Sequence, residues 1–318
     1  MSAVDLRTTI GCGVELPNPL MTASGCAANG PELHRFFDIT ELGAFVTKSV
    51  KLDPQSGRGT PRMAETPSGM LNSIGLQGPG IDAFVRHDLP WLHEVGARVI
   101  VSIAGASAGE FAEVAQALVA APAFAAVAAI EVNISCPNVA NRGLVYACDP
   151  ASSAEVLHLV SAVVPDRIPL LAKLTPDVTD IVAIAEAALS AGAHGLTMIN
   201  TLLGMHIDID RMRPLLFGAT GGLSGPAIRP VAVRAIWQTH AAMLAGRLPV
   251  APIIGVGGVR TGADALELTL AGASAIQVGT ATFNDPTAPR RVLCELEELL
   301  QVRGIAAYAG LVGAAHPS

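Results

Sequence analysis

Eight short apolar runs recur along the 318-residue chain, at 19–23, 44–48, 98–103, 128–134, 170–174, 195–200, 252–256 and 275–278. They are continuous rather than alternating, as expected of parallel strands covered on both faces. Helical patterns lie between them, at 108–119, 153–163, 179–191, 230–245 and 262–271. Strands alternating with helices in this number predict a (β/α)8 TIM barrel, in the α/β class. A doubly wound open sheet is the competing fold. No composition break divides the chain, so residues 1–318 are expected to form one domain. Gly43, Gly96, Gly192, Gly195 and Gly272 read as helix C-caps and tight turns. Three long connections, 52–79, 138–150 and 202–226, read as lids or binding loops without helices of their own.

Composition narrows the function. Hydrophobic residues make up 51% of the chain and aromatics only 4%, so a large core of Ala, Val, Leu and Ile is expected. The net charge is −7 and no basic cluster stands out, which argues against nucleic acid or an anionic membrane as partner. The longest apolar run, 117–130, contains Pro122 and is too short to span a bilayer. The first residues lack the apolar stretch of a signal peptide. Cys12, Cys26, Cys136, Cys148 and Cys294 include no C-x-x-C pair, so neither a disulfide framework nor a metal site is expected. A reducing cytoplasm is the natural compartment.

Barrel chemistry gathers at the C-terminal ends of strands. Those positions hold Ser24, Lys48, Ser102, Asn133, Lys173, Asn200, Gly257-Gly258 and Gly279-Thr280. Lys48 and Lys173 each close an apolar run, where a charge is costly unless an anion or an electron-rich ring receives it. Snorkelling to solvent is the bland alternative. The glycine pairs after the last two strands can bring backbone N–H groups close to a phosphate. The segment Asn72-Ser-Ile-Gly-Leu-Gln77 could lay amides against a small ligand, or form an ordinary hairpin. Asn133-Ile-Ser-Cys-Pro-Asn138 sets a thiol between two carboxamides. Carboxamides both donate and accept, so they can read a flat polar heterocycle, and a nearby thiol can act as a base. From this segment alone, a buried structural cysteine before a Pro-Asn turn reads equally well. Cys26 is the rival thiol, without flanking carboxamides; Cys12 and Cys148 read as inert.

In order, Asn18-Pro-Leu-Met-Thr-Ala-Ser-Gly25, Thr47-Lys-Ser49, Met70-Leu-Asn-Ser-Ile-Gly-Leu-Gln77, Asn133-Ile-Ser-Cys-Pro-Asn138, Ala172-Lys-Leu-Thr-Pro176, Ile199-Asn-Thr201, Gly221-Gly-Leu-Ser-Gly-Pro-Ala227, Ile254-Gly-Val-Gly-Gly258 and Val278-Gly-Thr280 resemble the class 1 dihydroorotate dehydrogenases. The resemblance runs from about residue 6 to 284. It implies a barrel holding FMN, with Ser24, Lys48, Ser49, Asn133, Lys173, Ile199, Gly225, Gly257, Gly258, Gly279 and Thr280 around the flavin. Ser102 stands where relatives usually carry a flavin-contacting Asn. Lys48, Asn72, Ser73, Ile74, Gly75, Leu76, Asn133, Asn138, Asn200 and Thr201 match contacts to dihydroorotate. Cys136 matches the catalytic base, where membrane-bound class 2 relatives have serine.

Met70–Gln77 and Leu202-Leu-Gly-Met205 are most similar to the NAD-linked 1B branch. That branch implies NAD+ as final acceptor and a separate subunit carrying FAD and a 2Fe–2S cluster. The expected assembly is a homodimer of barrels, or a heterotetramer with two such subunits. The implied chemistry removes a proton from C5 of dihydroorotate to Cys136 and a hydride from C6 to the flavin. Lys48 would attract the substrate carboxylate, and Lys173 would stabilise negative charge on reduced flavin. Four rival readings are a dihydropyrimidine dehydrogenase-like reductase, a fumarate-dependent class 1A enzyme, a phosphate-binding barrel isomerase or synthase without flavin, and a non-catalytic ligand-binding barrel.

Overall fold

A computed structural model of the chain describes residues 4–135 and 146–317. Eight parallel strands form its centre: β1 (Leu20–Thr22), β2 (Phe45–Val46), β3 (Val99–Ile103), β4 (Val127–Val132), β5 (Leu170–Leu174), β6 (Gly195–Met198), β7 (Ile253–Val256) and β8 (Ala275–Val278). Each pairs with the next in sequence, and β8 returns to β1. A parallel bridge between Met21 and Ala44 closes the remaining seam. Thr22 reinforces it, its hydroxyl donating to the Val46 carbonyl (3.1 Å) and accepting from the Val46 N–H (2.8 Å). The sheet is therefore a (β/α)8 barrel and not an open doubly wound sheet.

The interior is layered by the two-residue period of the strands. Met21, Val46, Ile100, Ala129, Leu171, Ile254 and Ala275 form an apolar layer inside the barrel. Ile10 and Leu16, from an N-terminal hairpin (Thr8–Thr9 with Glu15–Leu16), plug its base. Two residues further along the strands, the same inward face carries Lys48, Ser102, Glu131, Lys173 and Gln277. The apolar plug thus ends where the chemistry begins.

Helices cover the outside, and their starts are capped. The side chains of Ser107, Asp149, Asp180 and Thr261 each accept an N–H from the first turn of the helix that follows. Such caps contribute about 1 kcal/mol each. The helices Ala108–Val119 and Gly262–Ala271 coincide with the expected spans; Pro150–Ser161, Ile181–Ser190 and Arg229–Leu244 differ by one to three residues at their ends. Gly96, Gly192 and Gly272 have positive φ, as their capping role requires. Gly195 instead opens β6, and Gly43 is needed because a Cβ there would strike the Asn18 carbonyl.

Two of the three long connections differ from expectation. They contain strands Met63–Thr66, Gly69–Asn72, Leu202–Met205 and Thr220–Ser224, which pair into one four-stranded antiparallel sheet over the barrel mouth. Of the connection 138–150, residues 138–145 lie outside the described residues. Among the described residues, no helix is long and apolar enough to cross a membrane.

The C-terminal segment packs back on the barrel. His316 stacks on Trp237 with ring centroids 3.7 Å apart, and its Nε2 lies 3.0 Å from the Ala271 carbonyl. His240 lies against it at 4.8 Å. Burial, and then the neighbouring His316, lower the His240 pKa. The folded state therefore prefers neutral His240, while the unfolded chain takes up a proton near pH 6.5. This contribution to stability is complete above about pH 6.5 and is lost as pH falls through it toward the depressed folded value. Thermal melts between pH 5 and 7.5 should show Tm falling on acidification, with a shallower slope in His240→Asn. An unchanged slope would remove His240 from this role.

Candidate active site

The barrel mouth opens into a cavity of about 1510 Å³. Pockets for a single small molecule occupy roughly 300–1,000 Å³, so there is room for a large ligand and a second, smaller one. Its floor is the strand ends and its roof is the antiparallel sheet. Ser24, Lys48, Ser49, Asn133, Lys173, Ile199, Asn200 and Thr201 line the floor and walls. Asn72, Ser73, Ile74, Gly75 and Leu76 enter from the roof, and Gly225, Gly257, Gly258, Gly279 and Thr280 line one end. These eighteen residues, each expected from the sequence, thus converge on one space. Ser102 does not reach it. Cys136 and Asn138 lie outside the described residues; Ser135, just before them, lines the cavity and donates its hydroxyl to the Lys173 carbonyl (2.9 Å).

Asn72 is positioned by register: it sits opposite Gly222, and its Nδ2 donates to the Gly222 carbonyl (3.2 Å). The partner must be glycine, because a Cβ at Gly222 would run into the Thr201 side chain. Asn200 donates from Nδ2 to Asn133 Oδ1 (3.3 Å) and accepts at Oδ1 from the Thr201 N–H (2.8 Å). Asn133 in turn donates from Nδ2 to Ser49 Oγ (3.0 Å). The orientation of each amide is thereby set.

Ser49 Oγ also lies 2.9 Å from Ser102 Oγ and 3.1 Å from Ser24 Oγ. A hydroxyl has one proton and two lone pairs, so Ser49, already accepting from Asn133, accepts from one serine and donates to the other. Ser102 is fully buried and has no other acceptor among the described residues. Leaving its proton unmade would be costly. Ser102 therefore donates to Ser49, Ser49 donates to Ser24, and Ser24 keeps its proton for the cavity. Ser102 stands behind the wall.

The glycine end has the shape of an anion cradle. Gly257 (φ +137) and Gly258 (φ +74) adopt backbone conformations that favour glycine, and a Cβ on Gly258 would press on the Gly225 carbonyl at 2.9 Å. At Gly279 a Cβ would meet Ala23 at 3.2 Å and Cys26 at 3.4 Å. Thr280 donates to Ser224 Oγ (2.8 Å), tying the last strand to the roof. These bare backbones suit a phosphorylated ligand.

The sequence reading missed several wall residues. Arg58, Ser224, Arg260 and Arg291 line the cavity, and Arg58 donates to Ser73 Oγ (2.9 Å). Cys148 also lines it, rather than lying idle in a distant loop. Glu131 is wholly buried beneath the floor and pairs with Lys173 at 3.2 Å. It was legible as the one charge inside the apolar run 128–134. Cys26 is on the wall, but burial pushes its thiol up to about 11, against the pull of Lys173 and Lys48. It is protonated at neutral pH and is a poor base there.

Comparison with known proteins agrees with this geometry. A family profile described as dihydroorotate dehydrogenase matches residues 6–300. A Geobacter sp. (strain M21) protein named dihydroorotate dehydrogenase B (NAD(+)), catalytic subunit, is 48% identical over 314 residues, 99% of each chain. Proteins of the same name from Trichlorobacter lovleyi and Geobacillus kaustophilus are 48% and 47% identical over 301 residues, covering 95% of this chain and 95% and 93% of theirs. A barrel with this polar mouth, matched along nearly its whole length, belongs to the dihydroorotate dehydrogenase family.

Proposed function

We propose that this chain is the catalytic subunit of an NAD+-linked dihydroorotate dehydrogenase, a single barrel domain that binds FMN and oxidises dihydroorotate to orotate in pyrimidine biosynthesis. The observation that carries this reading is the convergence of two lysines, three carboxamides and a glycine cradle on one cavity. The cavity fits FMN: bare backbone at Gly257, Gly258 and Gly279 for the phosphate, and Lys173 and the Ser24 hydroxyl for the polar edge of the ring. Bound FMN would supply the two-electron acceptor.

The chain's own residues do the rest. Lys48 attracts the substrate carboxylate. Asn72, Asn133, Asn200 and Thr201, with Ser73, Ile74, Gly75 and Leu76, hold the ring so that both reacting hydrogens are aligned. Ser49, Ile199, Gly225 and Thr280 complete the flavin wall. Cys136 takes the C5 proton and Asn138 joins the substrate contacts; both assignments rest on sequence. Relatives named as catalytic subunits support a partner, read here as an FAD and 2Fe–2S subunit on a barrel homodimer. A cytoplasmic setting belongs to the same reading.

A visible spectrum of the purified chain, followed by anaerobic addition of dihydroorotate, tests it. A flavin spectrum that bleaches is the expected result. A flavin-loaded chain that bleaches with dihydrouracil but not dihydroorotate would replace the reading with a uracil-type reductase.

The serine chain makes a separate prediction. Ser102→Ala releases Ser24 to turn its proton toward Ser49, so FMN should bind roughly two- to tenfold more weakly, the worth of one neutral hydrogen bond. In a Ser24→Ala background the same change should have no further effect. Additive losses, measured by fluorescence titration of FMN, would refute the coupling.

A further inference from the structure

The geometry points to Glu131 as a positioning residue that limits the positive charge Lys173 presents to the flavin, and so sets the flavin's reduction potential. This rests on the FMN reading above and goes beyond it, since Glu131 touches neither the cavity nor any ligand in it.

Glu131 faces inward on β4, immediately above the apolar layer, and is wholly buried. A carboxylate in that position is tolerated only if both oxygens are satisfied. They are. Oε1 accepts from Lys173 Nζ at 3.2 Å and Oε2 from Gln277 Nε2 at 2.8 Å. Gln277 makes this bond while its own Oε1 has no partner among the described residues. A buried amide that leaves its carbonyl unpaired in order to donate is expected beside an ionised acceptor, because a charge-assisted bond is the stronger one. A protonated Glu131 could instead donate to that carbonyl. The arrangement therefore describes Glu131 as a carboxylate and the Glu131–Lys173 pair as neutral overall.

Lys173 is the member of the pair that lines the cavity. Among the described residues its ammonium donates to Glu131 alone. The flavin would then meet the positive end of a dipole, not an uncompensated unit charge in a dry site. Reduced flavin gains negative charge at its ring edge, and a full positive charge there would hold the electrons tightly. Glu131 offsets part of that hold. A chain whose electrons leave for a nicotinamide acceptor needs such a restraint.

The test is the midpoint potential of FMN on the full-length chain, measured anaerobically by equilibration with a reference dye. Glu131→Gln keeps the shape and removes the charge. It should move the potential in the positive direction by at least a tenfold change in the two-electron equilibrium constant, about 30 mV. Lys173→Met should move it in the negative direction. If Glu131→Gln fails to fold, Glu131→Asp, which draws the carboxylate back from Lys173, should give a smaller positive shift. Opposite signs at positions 131 and 173 support the assignment. Shifts of the same sign, or a weaker FMN affinity with no shift, would show a purely structural pair and overturn it. A wild-type chain that takes up no FMN would overturn the flavin reading and this one together.

Discussion

Cys136→Ala is expected to lower the rate of dihydroorotate oxidation by about two to four orders of magnitude, the usual worth of a positioned base. FMN and orotate should still bind, since the cradle, Lys48 and the carboxamides are untouched. Of the two thiols on the described wall, Cys26 and Cys148, burial keeps the Cys26 pKa near 11. A thiol base works as the thiolate, so the wild-type rate should rise with pH until Cys136 is ionised. Cys136→Ser should be slow at neutral pH and gain activity well above it, because a hydroxyl gives up its proton far less readily. Stopped-flow measurement of flavin bleaching, across pH, reads both effects. Near wild-type bleaching in the alanine variant would take the base away from Cys136.

Gly69→Ala should be the most damaging single methyl in the roof. Gly69 opens the strand whose register places Met70 opposite Ser224 and Asn72 opposite Gly222. A Cβ at Gly69 would collide with the Ser224 carbonyl, a backbone atom held by its own strand. No flexible side chain is there to give way. The roof must part at that corner, at about 1–3 kcal/mol in stability, and Asn72 moves with it. Orotate affinity should fall at least tenfold. Gly310→Ala, with open space around it, should stay within about 0.5 kcal/mol of wild type in chemical denaturation. Equal behaviour of the two variants would remove the packing argument.

The barrel was legible because its strands are uninterrupted apolar runs, and all eight lie within or beside the expected segments. The strand-end residues were legible for the same reason, since a strand that ends names the residue at its end. The roof was not. Its central strand, Thr220-Gly-Gly-Leu-Ser224, is rich in glycine and short of β-formers, and it joins the two halves of the roof by pairing with a strand about 150 residues away in sequence. Local pattern carries little of that information. Ser102 illustrates a second limit. Its parity places it on the inward face, but only the depth of neighbouring Ser49 decides that it stops short of the cavity. Glu131 was visible as a charge in an apolar run, yet its partner Gln277 lies across the barrel on β8, which sequence order does not disclose.

The interlocked amides have a consequence for selectivity. Asn133 and Asn200 have each committed a carbonyl oxygen, to Asn200 and to the Thr201 N–H, and each retains one amide hydrogen. Asn72 has committed one hydrogen to Gly222 and retains the other together with its oxygen. With the amides unable to turn over without breaking these bonds, the wall offers a ligand three amide hydrogens and the oxygen of Asn72. Open donors outnumber open acceptors on these three amides, so a ligand rich in carbonyl oxygens satisfies them better than one rich in N–H groups.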